Sequence, residues 1–151
     1  MVEIKYTGYG DHIEEKVLDI INSNGMHDQT LIISTHTPTL QRIKELDPTM
    51  ITCYTMFVAY DNIGSIPYVD YYTVEESNIS TALVNMVHEN NGKVYAWTIN
   101  DADSIQFLID SGVDGILTDN PTMMKKIIPE AKYNQGLPRM IRLYLDELKS
   151  F

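Results

Sequence analysis

The sequence predicts an α/β fold built on one parallel sheet, and three observations lead to it. Short runs rich in β-branched and aromatic residues alternate with amphipathic stretches along the whole chain. A strand follows a helix at intervals of roughly twenty to thirty residues, which is typical of βα units. Right-handed crossovers of that length place successive strands parallel in one sheet. The 151 residues, 44% of them apolar, predict a single domain over 1–151 with its own core.

Six segments have the composition of buried or half-buried strands. Each is short and is bounded by turn residues or by a helical pattern. They cover residues 2–5, 31–34, 51–57, 69–73, 94–99 and 115–118.

Amphipathic stretches between these strands predict the helices. Apolar residues recur at helical spacing over 13–21 and over 40–46. The second helix has Thr37 as its expected N-cap and Pro38 at its first helical position. Further helices are predicted over 79–89, over 104–110 with Asp101 or Asp103 as a cap, from Pro121 onward, and as a terminal helix over 137–149.

Composition excludes several classes of function. Twenty-one acidic against eleven basic residues give a net charge of -10, which argues against nucleic acid or an anionic membrane surface as a partner. Cys53 is the only cysteine, so an intrachain disulfide and a zinc site of several thiolates are impossible. No apolar run approaches the ~20 residues that a membrane span needs. The sequence therefore predicts a soluble segment and leaves its compartment open.

Glu3 and Lys5 are the first pair of residues with potential chemistry. They are two apart on a predicted strand, so both side chains point to the same face. At the carboxyl end of a barrel strand that face opens on the active site, where a carboxylate can bind a hard cation. The alternative is that the two charges neutralise each other inside the barrel.

Trp97 and Asn100 end another predicted strand in the same way. Trp97 can pack against a small polar organic group, and Asn100 can donate and accept hydrogen bonds. The alternative is that Trp97 belongs to the core and Asn100 caps a helix. Residues 118–121, Thr-Asp-Asn-Pro, follow the last strand and also suit a helix start.

His36 is the one histidine placed for proton transfer. It follows the strand over 31–34 and precedes a helix, so it lies at the carboxyl end of the sheet. His12, His27 and His88 are expected to be solvated side chains. No Ser/His/Asp spacing, glycine-rich phosphate loop or paired metal-binding histidine motif is present.

Five motifs in one order resemble the glycerophosphodiester phosphodiesterase family. They are Glu-Ile-Lys at 3–5, Leu-Ile-Ile-Ser-Thr at 31–35, Lys-Glu-Leu-Asp-Pro at 44–48, Trp-Thr-Ile-Asn at 97–100 and Asp-Gly-Ile-Leu-Thr-Asp-Asn-Pro at 114–121. The resemblance covers residues 2 to about 128, and the last two motifs carry most of its specificity. The motif sequences are most similar to those of family members that have a separate membrane region.

The resemblance implies a (β/α)8 barrel and a metal-dependent hydrolase that cuts glycerophosphodiesters into glycerol 3-phosphate and an alcohol. Under it, Glu3 is a ligand of a divalent cation, Mg²⁺ or Ca²⁺, and Lys5 lies near the phosphate. Trp97 lines the glycerol pocket and Asn100 shapes its mouth. The family's His-Arg-Gly motif, Glu-x-Asp pair and later histidine are absent from this sequence, and His36 inherits no role.

These absences predict an incomplete TIM (β/α)8-type barrel of about the last six βα units, with a C-terminal helix. Such a chain is expected to be inactive alone and to need a missing N-terminal half, in the same chain or supplied in trans. A second hypothesis is a non-catalytic binding or assembly domain that self-associates through open sheet edges. A third is different chemistry that uses His36 with Asp119 or Glu3.

Overall fold

Six parallel strands form one sheet in a computed structural model that describes residues 1–8, 12–56 and 66–130. The strands lie side by side in chain order, and each is parallel to its neighbour. They are β1 (Val2–Glu3), β2 (Leu31–Ser34), β3 (Ile51–Met56), β4 (Tyr71–Glu75), β5 (Lys93–Trp97) and β6 (Gly115–Ile116). The predicted α/β class and parallel sheet are confirmed.

A helix follows β1, β2, β4, β5 and β6, and the structure does not describe residues 57–65 after β3. The helices are α1 (Ile13–Ser23), α2 (Thr37–Leu46), α3 (Thr81–Glu89), α4 (Asp103–Ser111) and α5 (Pro121–Glu130). Short 3-10 turns occupy His27–Gln29 and Glu76–Asn78. The predicted terminal helix over 137–149 also lies outside the described residues. Within the described part, no helix combines the length and apolarity that a bilayer crossing requires.

Helix starts differ in detail from the predicted ones. The N-cap of α2 is His36, and Thr37 is the first helical residue. Ala102 occupies the N-cap position of α4, and the capping bond comes from the preceding Asp101, whose Oδ1 accepts from the Ser104 N–H at 2.9 Å. Gly112 ends that helix in the left-handed conformation, at φ 83°, which glycine adopts without a Cβ penalty.

Strand β4 begins two residues later than predicted. The N–H of Val69 donates to the carbonyl of Ile66 in a turn. Asp70 then attaches this turn to β3, because its Oδ2 accepts from the Thr52 N–H at 2.8 Å. Ladder pairing with β3 therefore starts at Tyr71 and continues to Val74.

The two faces of the sheet differ in chemistry. The outer face packs its apolar side chains against the helices, in two buried clusters. The residues that alternate with these apolar side chains along each strand point to the inner face. The inner face carries Glu3, Ile33, Cys53, Thr55, Tyr71, Thr73, Glu75, Tyr95, Trp97 and Gly115. Because all six strands are parallel, their carboxyl ends lie at the same end of the sheet.

Candidate functional site at the carboxyl ends of the strands

The inner face is polar where the strands end. Thr73 Oγ1 donates to Thr55 Oγ1 at 3.0 Å across neighbouring strands. Glu75 is paired in register with Trp97, and both are partly exposed. Hydroxyl, carboxylate and indole groups therefore lie along one end of the sheet, which is where ligands bind in parallel α/β folds.

Glu3 and Lys5 form an ion pair at the end of β1. Lys5 Nζ lies 3.7 Å from Glu3 Oε2, with 76% of the lysine and 46% of the glutamate side chain exposed. Charges this exposed attract each other weakly and are screened by salt. The pair is open to solvent in the described part of the chain. Their predicted roles at a cation and a phosphate stay predictions.

A metal site is not assembled by the described residues. Over 1–8, 12–56 and 66–130, no group of three His, Cys, Asp or Glu side chains could hold a metal ion. Hard cations such as Mg²⁺ and Ca²⁺ take about six or more oxygen ligands. Glu3 can therefore supply one ligand, but these residues do not fit a resident cation by themselves.

His36 is held in place from two sides. Its ring stacks on Tyr6 with the centroids 4.0 Å apart and the planes at 8°. Its Nδ1 lies 3.1 Å from Thr39 Oγ1, and its backbone N–H donates to Ser34 Oγ at 3.1 Å. The position at the carboxyl end agrees with the prediction, whereas the Tyr6 stack was not foreseen.

Ser34 connects the first two strands at this end. Its fully buried hydroxyl donates to the Ile4 carbonyl at 2.8 Å and accepts from His36. One side chain therefore links the end of β1 to the start of α2.

Asn100 uses its amide to join two loops. Its Nδ2 donates to Asp119 Oδ2 at 2.9 Å, and its Oδ1 accepts from the Asp119 N–H at 2.9 Å and from Thr118 Oγ1 at 3.2 Å. Asn100 does not cap α4, because Asp101 does. Asn100 therefore contacts the β6–α5 loop, and its predicted role in shaping the mouth of the site stays a prediction.

The same loop starts helix α5. Thr118 Oγ1 accepts from the Asn120 N–H at 2.9 Å, and Asn120 Oδ1 accepts from the Met123 N–H at 3.0 Å. Residues 118–121 therefore start a helix, as one interpretation of the sequence predicts, and both Thr118 and Asp119 contact Asn100.

Trp97 lies half-buried at the end of β5, where the Trp97–Thr98 peptide bond is cis. Beside it, Glu75 is a residue that sequence reasoning missed. Glu75 Oε2 accepts from the Ser77 N–H and from Asn78 Nδ2, each at 3.2 Å. The sequence signal for Glu75 is its spacing of two residues from Thr73, which places both side chains on one face of β4. The predicted strand ends at Thr73, so Glu75 falls outside it.

Two of the histidines expected to be solvated, His27 and His88, also contact carboxylates, at the opposite end of the sheet. His27 Nε2 lies 3.0 Å from Asp47 Oδ2, and only 29% of the imidazole is exposed. His88 Nε2 lies 2.8 Å from Asp114 Oδ2. Both pairs precede strands, so they lie away from the candidate site. His12 is 75% exposed, as expected.

One protein-family model matches most of the chain. The model of the glycerophosphoryl diester phosphodiesterase family matches residues 3–123. A glycerophosphodiester phosphodiesterase of Bacillus altitudinis is 29% identical over 125 residues, which cover 80% of this chain and 51% of the relative.

Solved structures agree with the fold. A glycerophosphodiester phosphodiesterase from Parabacteroides distasonis superposes with a TM-score of 0.72 at 17% identity, covering 85% of this chain and 56% of that one. A phosphodiesterase of Oleispira antarctica, in complex with the product sn-glycerol-3-phosphate, gives 0.66 at 21% identity, covering 77% of this chain and 50% of that one. The chain spans about half the length of the relatives it matches. Its six strands form part of a TIM-type barrel.

Proposed function

The chain belongs to the glycerophosphoryl diester phosphodiesterase family, and on that premise we propose that it is the C-terminal part of a barrel that hydrolyses glycerophosphodiesters. Water is added across a phosphorus–oxygen ester bond, and the products are glycerol 3-phosphate and an alcohol. The observation that carries the proposal is the family match over residues 3–123, within which the polar inner face lies. The Oleispira antarctica relative, which holds sn-glycerol-3-phosphate, supports the product class.

Each predicted residue has a proposed role that its position allows. Lys5, at 76% side-chain exposure, can approach a phosphate oxygen without a large desolvation cost. Trp97, half-buried on the inner face, offers an indole wall for the carbons of glycerol. Asn100 positions the β6–α5 loop beside them through Asp119. Glu3 would supply one carboxylate to a divalent cation, Mg²⁺ or Ca²⁺, whose other ligands would come from outside the described residues.

We also propose that the 151-residue chain is inactive alone. Hydrolysis needs a base for the attacking group and an acid for the leaving alcohol. His36 is one imidazole, and its Nδ1 already contacts Thr39. It cannot readily supply both functions, so the missing βα units have to provide them.

The test is release of glycerol 3-phosphate from glycerophosphocholine, with Mg²⁺ or Ca²⁺ and with a chelator control. The chain alone is expected to release none. Release is expected after addition of the part of the Bacillus altitudinis relative that lies outside the aligned region. In that mixture Lys5→Ala and Trp97→Ala should lower the rate, whereas Lys126→Ala, an exposed lysine on α5, should not. Metal-dependent release by the chain alone, lost in Glu3→Ala and His36→Ala, would show that the chain contains a complete site.

A second candidate is a non-catalytic binding or assembly domain derived from the same barrel. It is favoured by the described residues lacking a metal ligand set. Light scattering separates the two, because a stable, discrete dimer supports an assembly domain. Aggregation or a lone monomer supports a part of a larger barrel.

A further inference from the structure

Lys5, the residue with the proposed phosphate contact, lies just past the end of a strand. Strand β1 ends at Glu3, so Lys5 is beyond the ladder that joins β1 to β2. The Lys5 side chain is 76% exposed, and its Nζ lies 3.7 Å from Glu3 Oε2. Such a pair holds a side chain weakly, because solvent and salt screen it. The position of Lys5 therefore depends on the residues before and after it.

Ile4, the residue before Lys5, is fixed by three contacts. Its side chain is buried in the outer-face cluster of the first strands. Its N–H donates to the Ile33 carbonyl at 2.9 Å, and its carbonyl accepts from Ser34 Oγ at 2.8 Å. The Ile4 carbonyl and the Lys5 N–H belong to one planar peptide unit. By bonding to that carbonyl, Ser34 orients the peptide bond that leads to Lys5.

Tyr6, the residue after Lys5, is held by the same neighbouring segment. Its ring stacks on His36 with the centroids 4.0 Å apart and the planes at 8°. The backbone N–H of His36 donates to Ser34 Oγ at 3.1 Å. One hydroxyl therefore contacts the residue before Lys5 directly and the residue after it through His36.

We propose that Ser34 is a positioning residue for Lys5. It acts through the Lys5 clamp, defined as Ser34 with the stacked rings of Tyr6 and His36. The clamp fixes the backbone on both sides of Lys5 and leaves its Nζ exposed toward a phosphate oxygen of the glycerophosphodiester. This inference deepens the proposed function and rests on it, since it requires that Lys5 contacts the phosphate.

Thr52 is a matched control, because it is a buried hydroxyl of the same kind at the other end of the sheet. Like Ser34 it is fully buried, and its Oγ1 donates to the Tyr68 carbonyl at 2.8 Å. It lies near the start of β3, however, whereas Ser34 is the last residue of β2. Loss of either hydroxyl leaves a backbone carbonyl without that donor, but only Ser34 is bonded to the residue next to Lys5.

The first measurement is the backbone order parameter of Lys5, from ¹⁵N relaxation of the full 151-residue chain. A rigid backbone gives about 0.85, and a flexible one falls below about 0.6. Lys5 is expected near the first value in the wild type and below the second in Ser34→Ala. Thr52→Val should leave the value unchanged. Equal order parameters in the wild type and Ser34→Ala would overturn the proposal.

The second measurement is hydrolysis of glycerophosphocholine in the mixture with the part of the Bacillus altitudinis relative that lies outside the aligned region. Ser34→Ala is expected to lower kcat/KM at least fivefold, and Thr52→Val less than twofold. Because Ser34 acts through Lys5, Ser34→Ala should cause no further loss when Lys5→Ala is already present. Losses that multiply in the double variant would overturn the proposal.

Urea midpoints show whether Ser34→Ala and Thr52→Val are folded and similarly destabilised. If Ser34→Ala does not fold, Tyr6→Ala removes the other side of the Lys5 clamp at a 62% exposed position and should show the same coupling to Lys5→Ala. A wild-type mixture that releases no glycerol 3-phosphate would reject the proposed function. The order parameter of Lys5 would then decide by itself whether Ser34 fixes this residue.

Discussion

Asn100 and Asp119 hold each other by two hydrogen bonds that run in opposite directions. The amide Nδ2 of Asn100 donates to the Asp119 carboxylate, and the Asp119 backbone N–H donates to the amide oxygen, both at 2.9 Å. An asparagine is suited to this position because it is both donor and acceptor. The two loops that end β5 and β6 are thereby fixed relative to each other.

Asn100→Ala should destabilise the chain more than Asn100→Asp. Alanine removes all three side-chain hydrogen bonds, at a cost of about 1 kcal/mol each. Aspartate keeps an oxygen that can accept from the Asp119 N–H and from Thr118 Oγ1, but it loses the donor to the Asp119 carboxylate and places a like charge against it. Urea unfolding midpoints measure both effects. Asn85→Ala, at an exposed position on α3, is the control and should leave the midpoint nearly unchanged. A lower midpoint for Asn100→Asp than for Asn100→Ala would show that the repulsion outweighs the two accepted bonds.

Gly115→Ala should destabilise the fold by about 1–3 kcal/mol, the usual cost of overpacking. A Cβ at Gly115 would lie 2.2 Å from Cδ1 of Tyr95, whose side chain is buried on the inner face. The smaller side chain in Tyr95→Leu should relieve that clash. A double-mutant cycle on free energies of unfolding is the measurement, and a coupling below about 0.5 kcal/mol would contradict this contact.

The stabilising effect of His27 should depend on pH. Hydrogen bonds to Asp28 and then to Asp47 raise the pKa of His27 above its usual 6.5. A histidine whose pKa is higher in the folded state stabilises that state fully at pH values below its unfolded-state pKa. The stabilisation is lost as the pH rises through its folded-state pKa. Hydrogen bonds from Thr49, and then the contact with His27, lower the pKa of Asp47 below 3.8. The stabilisation by Asp47 is therefore present above about pH 3.8 and is lost as the pH falls through the folded-state pKa of this carboxyl.

The stability difference between wild type and His27→Gln should therefore be largest between about pH 4 and 6.5 and shrink toward pH 8. Urea midpoints at pH 5, 6, 7 and 8 measure it. Asp28→Asn, which removes the leading cause of the raised pKa, should reduce the difference in part. A difference that grows toward pH 8 would contradict this sign.

Cys53 should not react with a thiol reagent while the chain is folded. Its side chain is fully buried, and burial raises the pKa of the thiol to about 12. The reactive thiolate is therefore scarce at pH 8 and inaccessible as well. Labelling by Ellman's reagent should be slow in buffer and rapid in denaturing urea. Fast labelling of the native chain would place Cys53 outside the core.

The periodic elements of the fold follow from the sequence, and the contacts of the site do not. Strand β2 and the course of α2 are local, since apolar spacing and Pro38 determine them. The bond between Asn100 and Asp119 joins two loops, and no spacing rule relates them. Tyr6 and His36 meet for the same reason, because β1 and β2 are neighbours only in the folded sheet. The late start of β4 depended on Asp70 bonding to β3.

The chain-order arrangement of the sheet has a consequence for how the protein reaches its fold. Val2 pairs with Ile32, and Tyr71 pairs with Lys93, so each strand needs only the next βα unit to find its partner. The loops closed at each step are of similar, moderate length, and the entropy lost in closing them is correspondingly modest. We expect folding to advance along the chain unit by unit, so that a nascent polypeptide can build this sheet while its later part is still being synthesised.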